Sequence, residues 1–174
     1  MKLLDFPQVR QTFAYDCAAS ALQAVLVYYG IEVRGELLIK FTKTSAASGA
    51  TIKNICQTID KFKLRYSSAG LTLSDLKNYL DKKIPVMILL QAWQAGRAGY
   101  ARNYKNGHWV VAIGYARDRL FFEDPNAFEW TFLKNKELAV RWHGQDQGRP
   151  VLNHGIAVFG KKPAYCSNKI IWMP

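Results

Sequence analysis

The sequence predicts an α+β domain in which a helical N-terminal half packs on a C-terminal antiparallel sheet. Before residue 81, apolar residues recur at helical spacing in several segments. After residue 84, short apolar runs rich in strand-forming residues are separated by a few turn residues, and short connections favour antiparallel pairing. With 174 residues, 49% of them hydrophobic, the chain is long enough for one well-packed domain over residues 1–174.

The clearest helical pattern lies in QTFAYDCAASALQAVLVYYG, residues 11–30. Asp16 is predicted to be the N-cap, because a short carboxylate can accept hydrogen bonds from the first N–H groups of a helix. Cys17 then takes the first helical position, where the helix dipole favours a thiolate, and Gly30 ends the pattern. The apolar residues that share one helical face are Leu22, Val25, Leu26 and Tyr29.

A cysteine in a helix also has a simpler interpretation. Cysteine is often buried as a small apolar residue with no chemical role. The helix alone therefore does not predict a reactive thiol, and a base has to come from elsewhere in the chain.

Three further helices are predicted before the sheet. They span residues 36–43, residues 52–62 with Thr51 as the cap, and a segment from Thr72 or Ser74 to Leu80. Cys56 falls on the apolar face of the second helix, which predicts a core position. The four predicted strands are the runs PVMILLQ, HWVVAIGYA, RLFFED and HGIAVFGK, which begin at Pro85, His108, Arg119 and His154.

The net charge of +11 raises the question of a nucleic-acid partner. Lysine and arginine are spread over both halves of the chain, and no long basic run occurs. Because phosphate binding needs clustered basic residues, we expect a solvated basic surface and no nucleic-acid partner.

The N-terminus has only a short apolar pair before Asp5, too little for a secretory signal, and no run is long enough to span a membrane. We therefore expect a soluble protein of the cytoplasm. The three cysteines, Cys17, Cys56 and Cys166, are odd in number and lack C-x-x-C spacing, so neither a disulfide framework nor a zinc site is predicted.

His108 is the histidine with the best candidate partner for chemistry. Asp124 lies sixteen residues after it, at the end of the next predicted strand. In an antiparallel hairpin centred near Asp118, the start of the first strand faces the end of the second, so His108 and Asp124 would be neighbours. A carboxylate on one ring nitrogen leaves the other free to take a proton from a thiol. His143 and His154 have no such neighbours and are predicted to be ordinary histidines.

Gln11, Cys17, His108 and Asp124 occur in this order within the motifs QTFAYDCAASAL, GHWVVAIGY and FFEDP. The set resembles the C39 peptidases, papain-like cysteine peptidases best known as the leader-cleaving domains of bacteriocin exporters. The resemblance covers most of residues 5–130 and implies a papain-like fold, with the N-terminal helical half packed on the C-terminal antiparallel sheet.

The resemblance also implies a role for each residue. Cys17 is the nucleophile, His108 is the general base and later the acid, and Asp124 orients His108. Gln11 donates its side-chain amide to the oxyanion, alongside the N–H of Cys17. The implied substrate is a peptide or protein, with cleavage after a Gly-Gly leader as one implied activity, and no cofactor or metal is expected.

Two other functions would use the same residues. An acyltransferase or transpeptidase would give the acyl group to an amine instead of water. A peptide-binding module would hold its ligand without cutting it. A base and an orienting residue beside the thiol favour catalysis, because binding alone requires neither.

The chain departs from the family pattern in places. Ala18 follows the cysteine where the family often has glycine. No membrane helices and no P-loop pattern are present, so we expect a stand-alone domain, and association with an exporter stays open.

The segment AWQAGRAGYARNYKNG, residues 92–107, is longer than in the transporter-linked members of the family. It contains no acidic residue and three basic ones, Arg97, Arg102 and Lys105. It is expected to be either a lid that favours an acidic substrate stretch or a plain solvated loop.

Overall fold

A seven-stranded antiparallel sheet forms the centre of the molecule, in a computed structural model that describes residues 1–93, 99–170 and 172–173. The helices are α1 (Cys17–Tyr28), α2 (Gly35–Phe41), α3 (Ile52–Lys61), α4 (Leu73–Asp81) and α5 (Asn135–Arg141). The strands are β1 (Lys2–Leu3), β2 (Arg65–Gly70), β3 (Val86–Gln91), β4 (Gly107–Tyr115), β5 (Arg119–Glu123), β6 (Thr131–Lys134), β7 (His143–Asp146), β8 (Arg149–Leu152) and β9 (His154–Phe159).

The strand order in the sheet is β2-β9-β3-β4-β5-β6, and β1 pairs with the end of β4. Strands β7 and β8 form a separate hairpin. Helices cover both faces of the sheet. Because side chains alternate along each strand, one strand contributes apolar residues to both faces. On β4, Trp109 and Val111 pack with α1, while Val110 packs with Leu76 of α4 and Leu138 of α5 on the opposite face.

The predicted α+β class is confirmed, with the four predicted helices and the four predicted strands present. Cys56 is buried in the core as predicted. Thr51 caps α3 by accepting a hydrogen bond from the Asn54 N–H at 3.2 Å, and Thr72 and Asp75 form a capping box at the start of α4. Local capping chemistry therefore predicts the starts of these two helices correctly.

The division into a helical half and a strand half was too simple. Strands β1 and β2 from the first half join the sheet, and α5 lies in the second half. The sequence of β2, RYSSAG, lacks the apolar alternation that identifies a strand, because much of it is exposed. Its pairing with β9 places it in the sheet.

Asp16 stands at the N-cap of α1, but the predicted capping bond is wrong, because its carboxylate makes no hydrogen bond to the helix. It accepts instead from the N–H groups of Thr12 and Phe13, both at 3.1 Å. The buried carboxylate thus folds the preceding loop back on itself. At the other end, Gly30 has φ +77°, a left-handed conformation that ends α1 as predicted.

Candidate active site

The β4–β5 hairpin brings His108 and Asp124 together. The two strands pair antiparallel, and the N–H of Ala116 donates to the carbonyl of Arg119 at 2.9 Å across the turn. His108 Nε2 lies 2.7 Å from Asp124 Oδ1. The predicted hairpin is present, with its pairing ending at Val111 opposite Glu123, and the two side chains are neighbours as predicted.

The His108 side chain is almost removed from solvent, with 3% of it exposed, and the Asp124 side chain is 20% exposed. Burial lowers the pKa of His108, but its hydrogen bonds with Asp124 and Cys17, together with the charges on these two groups, raise the pKa from 6.5 to about 9. Burial raises the pKa of Asp124, whereas the hydrogen bond and charge of His108 hold that pKa below its ordinary value. The electrostatics therefore favour an imidazolium beside a carboxylate at neutral pH.

Cys17 is the first residue of α1 and is half-buried. Its side chain is close enough to His108 to affect the pKa of the ring. The first hydrogen bond of this helix runs from the Ser20 N–H to the Asp16 carbonyl at 3.0 Å. The N–H of Cys17 therefore lies before the first hydrogen bond inside the helix. The thiol thus lies beside His108 at the positive end of a helix.

Gln11 lies on the irregular segment before α1. Its backbone N–H donates to the Pro125 carbonyl at 2.9 Å, which ties this segment to the residue after Asp124. Its side-chain Nε2 donates to the Phe13 carbonyl at 2.9 Å, and Oε1 is buried without a partner among the described residues. The side chain is therefore bonded to its own loop, and its amide nitrogen carries a second hydrogen.

Trp93 covers the His108 ring, a contact that sequence reasoning missed. The two ring centroids are 5.1 Å apart, and the rings are inclined at 52°. Trp93 has a left-handed φ of +60°, and its carbonyl accepts a hydrogen bond from the Tyr100 hydroxyl. Nothing in the local sequence distinguishes this tryptophan from an ordinary loop residue, because the contact depends on tertiary structure.

A cleft of about 540 Å³ opens beside Cys17. One wall is the small-residue loop at residues 46–50, and another is the β7–β8 turn around Gln147. Trp109, Gly107 and Leu89 complete the side formed by the sheet. A second cavity, of about 230 Å³, is lined by His108, Asp124 and the mainly apolar side chains of the opposite sheet face.

Among the described residues that line the cleft beside Cys17, Lys105 is the charged one. It belongs to the predicted basic loop, residues 92–107, whose described part includes a 3₁₀ turn at Tyr100–Arg102. Arg97 lies outside the described residues. The end of the loop is fixed to β3, because the Asn106 N–H donates to Gln91 Oε1 at 3.1 Å.

The other two histidines contact groups other than Cys17 and Asp124. His143 Nε2 lies 2.9 Å from the Tyr100 carbonyl, while its Nδ1 is buried without a partner among the described residues. His154 Nε2 lies 3.1 Å from Ser68 Oγ, and burial lowers the pKa of this ring. Neither joins the group formed by Cys17, His108 and Asp124.

The fold defines the class of protein. Three solved structures resemble this chain over most of its length, at TM-scores that establish a shared fold. The peptidase domain of Streptococcus ComA, a bifunctional ABC transporter of a quorum-sensing pathway, has a TM-score of 0.66 at 19% identity and covers 92% of this chain and 98% of its own. A Bacillus anthracis protein assigned as a C39-like peptidase has a TM-score of 0.71 at 15% identity, covering 93% and 98%.

The third structure is a double-glycine-motif protease from an AMS/PCAT transporter, in complex with its leader peptide. It has a TM-score of 0.64 at 18% identity and covers 90% of this chain and 93% of its own. The architecture is therefore that of a C39 peptidase domain, a papain-like cysteine peptidase fold.

The family model named Peptidase_C39 like family matches residues 3–148. The chain belongs to this family. No curated protein matches the chain in sequence. Within the part of the chain that the structure describes, no helix has the length and apolar character needed to cross a bilayer.

Proposed function

We propose that this protein is a cysteine peptidase in which Cys17 is the nucleophile, His108 the base and acid, and Asp124 the residue that orients His108. The observation that carries the proposal is the 2.7 Å contact between Asp124 Oδ1 and Nε2 of His108, a ring that also interacts with the Cys17 side chain. It leaves the other ring nitrogen for Cys17. Gln11 is proposed as a side-chain donor to the oxyanion, together with the Cys17 N–H.

The reaction begins with the thiolate of Cys17 beside the imidazolium of His108. The sulfur attacks the peptide carbonyl carbon, a C–S bond forms, and the carbonyl electron pair moves onto oxygen. When this intermediate collapses, the C–N bond breaks and His108 gives its proton to the departing amine. Water then loses a proton to His108 and attacks the acyl group, which breaks the C–S bond and restores the starting pair.

The substrate is proposed to be an extended peptide that lies in the cleft beside Cys17. Family membership and the structural similarity to a double-glycine-motif protease support a Gly-Gly leader as the first substrate to test. Small residues along the cleft, including Ala46, Ala47 and Gly49, leave room for the peptide backbone to approach the thiol.

Incubation with synthetic peptides that contain Gly-Gly, followed by mass spectrometry, tests the proposal. The native protein is expected to release a product that ends in Gly-Gly, and Cys17→Ala is expected to release none. A matched peptide with Ala-Ala at the same position is the specificity control. Equal cleavage by native protein and Cys17→Ala would contradict the proposed nucleophile.

An added amine in the same reaction separates hydrolysis from acyl transfer. Products that carry the amine in place of a free carboxylate would identify an acyltransferase. Binding of the peptide without either product, by both native protein and Cys17→Ala, would support a non-cleaving binding module.

Lys105 is proposed to favour substrates with an acidic side chain, because it places a positive charge on the cleft wall. Lys105→Glu is expected to reduce kcat/KM about tenfold for an acidic peptide relative to its neutral counterpart. An unchanged ratio would contradict the proposed charge preference. Lys136→Glu, in α5 and away from the cleft, is the control.

A further inference from the structure

A buried ion pair close to the site has no role in the reaction described above. The side chain of Glu123 is fully buried, and its Oε1 lies 3.0 Å from Nη1 of Arg10, which is itself 27% exposed. The same oxygen accepts from the Val9 N–H at 2.8 Å. Burial raises the pKa of Glu123 above its ordinary value, and this effect outweighs the lowering by the Val9 N–H and by Arg10. Burying a charge pair costs desolvation free energy, so the ion pair alone is weak support for a stabilising role.

The pair joins the two segments that carry the proposed catalytic groups. Arg10 precedes Gln11, and Glu123 precedes Asp124. The guanidinium of Arg10 also donates to the Asp124 carbonyl at 3.3 Å and to the Phe128 carbonyl at 2.8 Å. The Gln11 N–H also donates to the Pro125 carbonyl at 2.9 Å. Together these hydrogen bonds hold the segment around Gln11 against the residues that follow β5.

The segment that carries Gln11 lies outside the helices and strands. No helix or strand lies between the end of β1 at Leu3 and the start of α1 at Cys17. Strand pairing therefore does not hold Gln11 in register with Asp124. One backbone hydrogen bond, from the Gln11 N–H to the Pro125 carbonyl, and the side-chain hydrogen bonds of Arg10 link the two segments. Arg10 suits this task because its planar guanidinium donates in several fixed directions at once, which a lysine ammonium cannot reproduce.

We propose that Arg10 and Glu123 are positioning residues that hold the oxyanion donor Gln11 in register with the Asp124–His108 pair. The inference rests on the proposed peptidase function. We call the Arg10–Glu123 ion pair the clamp. A displacement of about 1 Å in a reacting group can cost about 100-fold in rate, so loss of the clamp is expected to lower the rate of acylation while Cys17 and His108 remain intact.

Two reagents separate positioning from reactivity of the thiol. A 4-nitrophenyl ester acylates Cys17 through a tetrahedral oxyanion: a C–S bond forms, the ester C–O bond breaks, and 4-nitrophenolate leaves with the electron pair. Iodoacetamide alkylates the thiolate directly and forms no oxyanion. The ester rate therefore depends on Gln11, and the alkylation rate does not.

The test uses the combined variant Arg10→Met with Glu123→Gln, which avoids leaving one buried charge without its partner. The glutamine still offers an oxygen to the Val9 N–H. The expected result is a loss of at least about tenfold in ester acylation, with the rate of Cys17 alkylation unchanged. Arg119→Met, which removes a half-buried arginine paired with Asp118 at the other end of β5, is the matched control and is expected to change neither rate.

The same combined variant is then made in the Gln11→Ala background. If the clamp acts through Gln11, the combined variant changes the acylation rate in this background by no more than about twofold. An equal fold loss in both backgrounds, or parallel losses of acylation and alkylation, would overturn the proposal. If the combined variant does not fold by circular dichroism, Arg10→Lys carries the same test, because it keeps the charge but not the set of carbonyl contacts.

Failure of the clamp and failure of the proposed function give different results. If the native protein shows neither ester acylation nor alkylation at Cys17, the proposed function is wrong. If the native protein shows both and the variants retain both, only the clamp is wrong.

Discussion

The two sides of the candidate site are held in different ways. His108 and Asp124 are placed by the paired strands β4 and β5, and the first of these is also paired with β3. Gln11 and the residues before Cys17 lie on an irregular segment held by the carboxylate of Asp16, the guanidinium of Arg10 and one backbone hydrogen bond to Pro125. The base is therefore positioned by backbone register, and the proposed oxyanion donor by a few individual hydrogen bonds.

This difference has consequences for mutation. A backbone ladder tolerates most side-chain changes, so the hairpin side is sensitive mainly at the catalytic residues themselves. The loop side is sensitive at residues that never touch a substrate, because each supplies bonds that no neighbouring strand replaces. The following predictions test this comparison, from the largest expected effect to the smallest.

Loss of His108 should have the largest effect. His108→Ala removes the proposed proton donor and acceptor, so peptide hydrolysis is expected to fall by about 1,000-fold or more. The rate of hydrolysis is followed by mass spectrometry of a cleaved peptide. His154→Gln, at a histidine away from the thiol, should retain activity, and comparable losses in the two variants would refute a specific role for His108.

Gln11→Ala should reduce ester acylation by about 100-fold to 1,000-fold, the usual effect of removing one oxyanion donor. Alkylation of Cys17 by iodoacetamide should be unchanged, because no oxyanion forms in that reaction. Loss of both rates would mean that Gln11 supports the structure around the thiol and does not stabilise an oxyanion.

Stability should depend on pH through the His108–Asp124 pair. Because the folded protein raises the pKa of His108 from 6.5 to about 9, the associated stabilisation is complete below pH 6.5 and is lost as the pH rises through 9. A shift of this size corresponds to about 3 kcal/mol in the free energy of unfolding. Asp124, whose pKa is lowered, contributes above its ordinary pKa of 3.8 and loses that contribution as the pH falls below it.

Urea unfolding at pH 6 and at pH 9.5 measures the His108 contribution. The native protein should lose more stability over this interval than His108→Gln does. Identical changes in the two proteins would show that the ring is not charged in the folded state.

Asp16→Asn should have the smallest effect and one confined to the loop side. It weakens the charged acceptor for the Thr12 and Phe13 N–H groups, so we expect a loss of about 1 kcal/mol in stability and about tenfold in ester acylation. Asp118→Asn, at an exposed carboxylate, is the control. If Asp16→Asn slows alkylation as much as acylation, Asp16 supports the thiol and not the oxyanion loop.

The same contrast explains what could be predicted from the sequence. The proximity of His108 and Asp124 is predicted from one hairpin between consecutive strands, which is a local rule, and the β-bulge within that hairpin is not predicted. The core position of Cys56 and the caps at Thr51 and Thr72 are local as well.

The features that escaped prediction depend on distant segments. Asp16 has the sequence position of a helix cap, but its carboxylate accepts hydrogen bonds from Thr12 and Phe13 in the preceding loop. The course of that loop depends on contacts with distant segments. Glu123 reads as an ordinary strand residue, and only the fold brings Arg10 to it across more than a hundred residues. Trp93 covers His108 because β3 and β4 are neighbours, with their last and first residues paired at Gln91 and Gly107.

The central claim is that Cys17 is activated by His108, and the alkylation rate of each cysteine tests it most directly. Iodoacetamide at low concentration and neutral pH, with site mapping by mass spectrometry, compares half-buried Cys17 with buried Cys56 and exposed Cys166. Cys17 should react at least about tenfold faster than Cys166, and His108→Ala should abolish that advantage. Equal rates at Cys17 and Cys166 in the native protein would contradict the claim, because exposure alone would then explain the reactivity.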